Sequence, residues 1–238
     1  MDRHPDDNAE QYVPTLSQDH IEQVRRWHDR AYHEGRAEGL SEQSFDYLGT
    51  KIVVPPEVMP VTPMSHLLGN AVLAETVAGK LVLDMGTGSG VNAILAASKA
   101  ANVLAVDINP VALRAARANA ERNGVAERVE VRYSDVFSEV GGTFDLVVFD
   151  PPFRWFRPRD MLEAAMTDEG YRAMTTFFRH LRSHLCPGGR ALIFFGTSGD
   201  LGYLQQLVAD CGFVSEVVAQ DELTRDAWRV EYFAFRLT

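Results

Sequence analysis

At 238 residues and 26.5 kDa the chain is long enough for one good-sized domain with a short appendage and too short for two. A composition of 46% hydrophobic and 24% charged residues excludes overall disorder, and no apolar run approaches the roughly 18–20 residues of a membrane helix. The net charge of −10 repels phosphate backbones and anionic membranes at long range, so neither is expected as a bulk partner. The start MDRHPDDNAEQ lacks the apolar stretch of a signal peptide, which makes a cytoplasmic location the expectation. Two cysteines, Cys186 and Cys211, build neither a disulfide framework nor a metal site.

Residues 1–16 are polar and acidic and are expected to fray. Ser17 then caps a helix whose apolar positions Ile21, Val24, Trp27 and Ala31 recur at helical spacing, ending near Gly35. A short strand-like stretch, 47–54, precedes the proline-punctuated loop PPEVMPVTP, and a helix follows over 65–78. Residues 1–78 therefore read as a helical extension with a proline-rich loop, and 79–238 as the main domain. In that domain LVLDMG, VLAVDI, VEVRYSD, FDLVVFD and ALIFFG are short apolar runs suited to a sheet covered on both faces. Helical stretches at 91–101, 110–123, 167–185 and 201–211 alternate with them, which gives an α/β doubly wound, mostly parallel sheet. The terminal VSEVVAQ and RVEYFAFRLT, joined by a polar turn at 221–228, form an antiparallel hairpin that reverses one strand near an edge.

The first strand ends in Asp84-Met85-Gly86-Thr87-Gly88-Ser89-Gly90, directly before a helix. Glycines there let a ligand approach the backbone and the free N–H groups of the helix start. The spacing G-x-G-x-G differs from the dinucleotide fingerprint, and Asp84 would repel a pyrophosphate while favouring a cationic sulfonium or amino group. A nicotinamide-dependent dehydrogenase is disfavoured on both counts. Asp107 ends the second strand 23 residues after Asp84, where a carboxylate can accept both hydroxyls of a ribose and Ile108 can pack on an adenine. Ser134-Asp135-Val136 ends the third strand and puts a further carboxylate beside an adenine amino group. Each aspartate alone could be a cap or turn former; three at successive strand ends point to a ligand cleft.

The fourth strand runs into Asp150-Pro151-Pro152-Phe153. Two prolines hold the backbone extended, so that the Asp150 side chain and the Pro151 carbonyl can accept the hydrogens of a planar nitrogen stacked on Phe153. These bonds turn the nitrogen lone pair toward a methyl donor, and transfer then depends on positioning and electrostatics.

VLDMGTGSG and VLAVDINP resemble the first two motifs of the class I S-adenosylmethionine-dependent methyltransferases, and the reversed terminal strand resembles the seventh strand of their Rossmann-like fold. DPPF is similar to the [Asn/Asp]-Pro-Pro-[aromatic] signature of nitrogen methyltransferases. The spelling DMGTGSG and the late Pro187-Gly188-Gly189 turn look most like the small-domain, HemK-like group. The resemblance implies a seven-stranded sheet, with S-adenosylmethionine as cofactor and S-adenosylhomocysteine as product. It implies that Gly86, Gly88 and Gly90 line the methionine part, Asp107 holds the ribose and Asp135 lies beside the adenine. Asp84, Thr87, Ile108, Val136 and Asp150 complete the candidate cofactor contacts, and Asp150, Pro151 and Phe153 the catalytic set. The glutamine methyltransferases of that group carry Asn and Tyr at the positions of Asp150 and Phe153, and Arg and Glu at those of Thr62 and His66. Asp offers acceptors only, so Asp150 prefers an amino group or a cationic nitrogen over a glutamine amide.

The loop Arg154-Trp155-Phe156-Arg157-Pro158-Arg159 is basic and aromatic on an acidic protein. Pro152, Phe153, Arg154, Trp155 and Arg157 are the candidate substrate contacts, the arginines gripping an acidic group; the alternative is a solvated loop whose arginines pair with Asp160 and Glu163. His180 and His184 share a helix face without the acidic companion of a zinc site. The expected activity is N-methylation of an amide or amino nitrogen on a small molecule or a protein. The alternatives are a ribosomal or transfer RNA base methyltransferase and a catalytically silent cofactor-binding module.

Overall fold

The computed structural model describes residues 12–38, 41–99, 102–225 and 228–238. The apolar runs become β3 (Leu81–Met85), β4 (Asn102–Asp107), β5 (Val129–Tyr133), β6 (Phe144–Phe149) and β7 (Leu185–Gly196), all parallel. With β8 (Ser215–Arg225) and β9 (Trp228–Leu237) they form a seven-stranded sheet in the order β5-β4-β3-β6-β7-β9-β8. Only β9 is reversed, pairing antiparallel with β7 and β8. Val82, Leu83, Val147, Val148 and Leu192 are fully buried in its middle, as a doubly covered sheet requires. The chain runs outward from β3 through α3 (Val91–Ser98) to β4, and through α4 (Pro110–Arg122) to β5. It then returns to the other side of β3 as β6. This reversal opens a crevice at the carboxyl ends of β3 and β6, the ligand position of such sheets.

Several elements depart from the sequence expectation for identifiable reasons. The 47–54 stretch is half of a hairpin, β1 (Gln43–Tyr47) and β2 (Thr50–Val54), turned by Leu48 and Gly49 with φ of 46° and 81°. Two left-handed residues make the hairpin turn, and leucine is an unfamiliar occupant of the first. The 167–185 helix shortens to α6 (Arg172–Leu181), because Gly170 and Tyr171 are left-handed before it. Asp168 accepts from the N–H groups of Ala173 (3.0 Å) and Met174 (2.9 Å) and so starts the helix. Pro187-Gly188-Gly189 is a bulge inside β7, where the register jumps between Phe144↔Leu185 and Leu146↔Arg190. The polar segment from Asp221 continues β8 as far as Arg225; residues 226–227 lie outside the described residues, and Trp228 already begins β9. The helix after the proline-rich loop is α2 (Ser65–Glu75), and the last is α7 (Leu201–Asp210). Of the expected frayed terminus, residues 1–11 lie outside the described residues, while the rest is anchored. The Tyr12 hydroxyl (2.8 Å) and the Thr15 N–H (2.7 Å) both donate to Asp200, the cap of α7. No helix among the described residues is long and apolar enough to cross a membrane.

The long helix α1 (Gln18–Glu38) and the short α5 (Met161–Ala164) are joined by charge. Buried Glu163 of α5 accepts from Arg159 and contacts His28 of α1 at 2.6 Å, and Arg159 reaches on to Asp29 at 3.0 Å. Burial works against Glu163 as a charge, but Arg159 and His28 hold its pKa down at about 2. The hairpin is held differently. Asn119 of α4 accepts from the Val53 N–H (3.0 Å) and donates to the carbonyls of Val53 and Ser89 (both 2.8 Å). One turn later Asn123 accepts from the Lys51 N–H and donates to its carbonyl (both 2.9 Å). Two helix side chains thus pair with β2 as a neighbouring strand would, and cover an edge otherwise left open. Asn119→Ala leaves the buried Ser89 carbonyl and the half-buried Val53 N–H and carbonyl without their side-chain partner. It is expected to destabilise the protein by about 1–3 kcal/mol in urea unfolding, with Asn123→Ala costing less because that site is half in water.

Candidate active site

The turn after β3 is held by two carboxylates. Asp84 lies buried beneath it and accepts from the Thr87 hydroxyl (2.6 Å) and the Ala93 N–H (3.0 Å). Asp107, at the end of β4, accepts from the N–H groups of Gly88 and Asn109 (both 2.8 Å). Gly86 and Gly88 carry φ of 64° and 54° and face a cavity of about 800 Å³. A Cβ on either would touch only Phe149 or Val58, at 3.7 Å, so the space beside the backbone is open to a ligand. Gly90, φ 84°, serves packing instead: a Cβ there would come 2.9 Å from Ala116 of α4. Of the residues expected to contact a cofactor, Gly86, Thr87, Gly88, Asp107, Ile108, Asp135 and Val136 line the cavity, whereas Asp84 and Gly90 lie outside the lining and brace the turn. Val136 is a β-branched residue at φ 51°, a disfavoured conformation held by Ser134, whose hydroxyl donates to the Val136 carbonyl at 2.6 Å. Asp135 pairs with Arg172 at 3.3 Å.

Asp150, Pro151, Pro152 and Phe153 all line the same cavity from the end of β6. Asp150 presents its carboxylate to the cavity with no hydrogen-bond partner among the described residues. Its surface is open to the cavity space, yet the cavity walls enclose it deeply within the protein. This enclosure, followed by the nearby charge of Asp84, pushes its pKa up to about 7. Asp84 is pushed to about 7 as well, by burial first, against the bonds from Thr87 and Ala93. The Tyr47 hydroxyl is raised by burial and by the charge of Asp150, which sets it on the same side of the cavity. The Phe153 ring packs between Phe195 (4.9 Å), Phe194 (5.5 Å) and Tyr232 (6.2 Å). Its carbonyl accepts from the Tyr171 hydroxyl at 2.5 Å, and that hydroxyl accepts from the Asp200 N–H at 2.8 Å. One buried tyrosine therefore locks the DPPF turn to the start of α7.

The following loop divides. Arg154 is buried and lines the cavity. Trp155 is buried outside it, against Tyr12, Phe156 and Tyr171. Arg157 is exposed and outside the lining, and Arg159 is bound by Glu163 and Asp29. Of the loop 154–159, Arg154 and Pro158 line the cavity, because the aromatic neighbours turn inward and Glu163 and Asp29 take Arg159. Sequence reasoning missed Trp27, Ala31, Tyr47, Ser198 and Tyr232 in the lining. Ser198 was detectable, since it follows the strand run ALIFFG at the same end of the sheet as the aspartates. Trp27, Tyr47 and Tyr232 sit in ordinary amphipathic patterns and carry no local signal.

The glycine turn, the strand-end carboxylates and the DPPF turn on one cavity wall find their counterpart in known proteins. The family model for the methyltransferase small domain matches residues 63–223, more than half of the chain. The chain belongs to the methyltransferase small-domain family. It is 34% identical over 167 residues to the release factor glutamine methyltransferase of Cereibacter sphaeroides, covering 64% of this chain and 59% of the relative's length. It is 29% identical over 197 residues to a putative protein N5-glutamine methyltransferase of Methanocaldococcus jannaschii, covering 76% of this chain and 97% of that protein. Among solved structures, the Methanocaldococcus jannaschii tRNA m1G37 methyltransferase superposes with a TM-score of 0.60 at 18% identity, over 82% of this chain and 56% of that one. At that identity the likeness concerns the Rossmann-like fold.

In this member of the small-domain family the carboxyls of Asp84 and Asp150 are weaker acids than in an unfolded chain. Their contribution to stability is complete below the ordinary carboxylate range near 4 and is lost as pH rises through about 7. The melting temperature of the ligand-free protein is expected to fall between about pH 5 and pH 8, and Asp150→Asn to flatten that fall. A variant curve parallel to the wild-type one would show that Asp150 does not titrate in this window.

Proposed function

We propose that the protein is an S-adenosylmethionine-dependent N-methyltransferase whose acceptor is an amide or amino nitrogen on a small molecule or a protein. The observation that carries this reading is the Asp150 carboxylate, unpaired among the described residues and facing the cavity beside the glycine turn. The cavity suits the cofactor: open space lies beside the left-handed backbone of Gly86 and Gly88. Asp107 keeps lone pairs beyond the two it gives to Gly88 and Asn109, which suit the hydroxyls of a ribose. Ile108 and Val136 offer apolar surface for the adenine, and Asp135 an acceptor at its edge. The bound cofactor supplies an electrophilic methyl group on a cationic sulfur. Asp150 and the Pro151 carbonyl accept the acceptor's N–H hydrogens and aim its lone pair, while Phe153 limits the plane in which it lies. The family's glutamine methyltransferases support a nitrogen acceptor.

Calorimetry with S-adenosylhomocysteine tests the cofactor half. Asp107→Ala is expected to weaken binding by about 1–3 kcal/mol, since a charged hydrogen-bond partner is lost and Gly88 is released with it. Unchanged affinity would remove the ribose role. Asp150→Ala is expected to abolish methyl transfer while leaving S-adenosylhomocysteine binding nearly intact, with Asp150→Asn milder. Equal losses in affinity and rate would make Asp150 a cofactor ligand instead. A chain of net charge −10, whose loop arginines are largely buried or paired, is also expected to lack strong salt-dependent RNA binding. Sub-micromolar binding to bulk RNA that weakens steeply with salt would favour a base methyltransferase.

A further inference from the structure

Arg154 is the only arginine or lysine that is buried among the described residues. Its Nε has no hydrogen-bond partner, and no carboxylate among the described residues pairs with it. The groups that act on its charge are the hydroxyls of Tyr232 and Tyr171 and the imidazole of His28, and burial works against the charge. Arg159, five residues on, shows what a satisfied arginine looks like here, with Glu163 and Asp29 both within hydrogen-bond distance. A guanidinium cannot shed its proton to escape burial, so an enclosed and unpaired one calls for an anion.

A second group supports the same conclusion independently. Ser198, in the loop after β7, is wholly buried, and its hydroxyl also lacks a partner. Arg154, Ser198 and Tyr232 line the one cavity that holds Asp150. Their frame is rigid. A Cβ on Gly199 would lie 2.3 Å from the Phe153 carbonyl, and one on Gly196 2.9 Å from the Tyr232 ring, so the loop after β7 rests directly on the DPPF turn and β9. Tyr171 clamps the same loop through Phe153 and Asp200.

We propose that Arg154, Ser198 and Tyr232 form a carboxylate-binding subsite, and that the methyl acceptor is a small molecule carrying a free carboxylate. The second clause rests on the methyltransferase reading above. The guanidinium presents its N–H groups to the carboxylate, and the serine and tyrosine hydroxyls donate to its remaining lone pairs. Of the two arginines in the cavity lining Arg172 already pairs with Asp135, which leaves Arg154 as the arginine without a carboxylate partner; with Asp107, Asp150 and Asp168 also in the lining, the site suits a single negative charge and disfavours a phosphate dianion. The geometry limits size too. Arg154 lies four residues after Asp150, so their Cα atoms are at most about 14 Å apart, and the acceptor nitrogen and the carboxylate lie within a short span of one ligand.

Calorimetry on the full chain, with and without S-adenosylhomocysteine, would compare matched pairs at constant ionic strength: propionate against propionamide, and L-glutamine against L-glutamine amide, with inorganic phosphate alongside. The carboxylate member of a pair is expected to bind at least about tenfold more tightly. Arg154→Gln should erase the difference, and Ser198→Ala should reduce it. Equal affinities within both pairs, no carboxylate response up to tens of millimolar, or discrimination that survives Arg154→Gln would each overturn the subsite. Phosphate binding tighter than every carboxylate would overturn the choice of carboxylate. The wild-type pairs decide between these outcomes even if Arg154→Gln fails to fold. A chain that discriminates the pairs but binds no S-adenosylhomocysteine would keep the subsite and defeat the methyltransferase reading.

Discussion

Three carboxylates, Asp84, Asp107 and Asp150, converge at the carboxyl ends of β3, β4 and β6, where enclosure by the protein opposes their charge. The surrounding architecture can be understood as the means of holding them there. Asp84 is committed to the Thr87 hydroxyl and the Ala93 N–H, and so fixes the turn that starts α3. Asp107 divides its lone pairs between the Gly88 and Asn109 N–H groups and the cavity. Asp150 has no such bond and faces the cavity. Unmet acceptor capacity thus increases from the buried brace Asp84 to the cavity-facing Asp150, and a ligand bearing hydroxyls, N–H groups and positive charge would satisfy it.

The far wall of the cavity is built from distant parts of the chain. α1 contributes Trp27 and Ala31 to the lining and is fastened by His28 and Asp29 to the α5 region. The hairpin contributes Tyr47 and is fastened by the two asparagines of α4. Asn119 also donates to the Ser89 carbonyl, so the hairpin and the glycine turn share one anchor. Segments that precede the sheet in sequence therefore wall the cavity that Asp150 faces.

The sheet was legible because its strands are runs of apolar residues that only a doubly covered sheet can bury, and because each ends in a turn rich in glycine, proline or aspartate. The strand-end wall of the cavity was legible for the same local reason: G-x-G-x-G, Asp107 and DPPF lie at strand ends, and a doubly wound sheet brings all strand ends to one crevice. The β1–β2 turn was not, since Leu48 in a left-handed conformation is tolerated only through its tertiary setting. Nor was the late start of α6, which depends on Tyr171 reaching across to Phe153 and Asp200.

Near neighbours and periodicity alone dictate the alternation of strands and helices, the glycine turn and the aspartates that face it, so a linear reading of the chain recovers them. The fate of each side chain in the loop after Phe153 belongs to the folded molecule. Arg154, Trp155, Arg157 and Arg159 look alike as a basic, aromatic run. Arg159 is held by Glu163, the local partner the sequence offered, and also by Asp29, 130 residues away; Trp155 is drawn into an aromatic cluster with Tyr12 and Tyr171, and Arg154 is left without a carboxylate partner at the cavity wall. The reach of Arg159 to α1 and the burial of the Trp155 ring are contacts between remote segments, and no local pattern records which of the look-alike side chains they take.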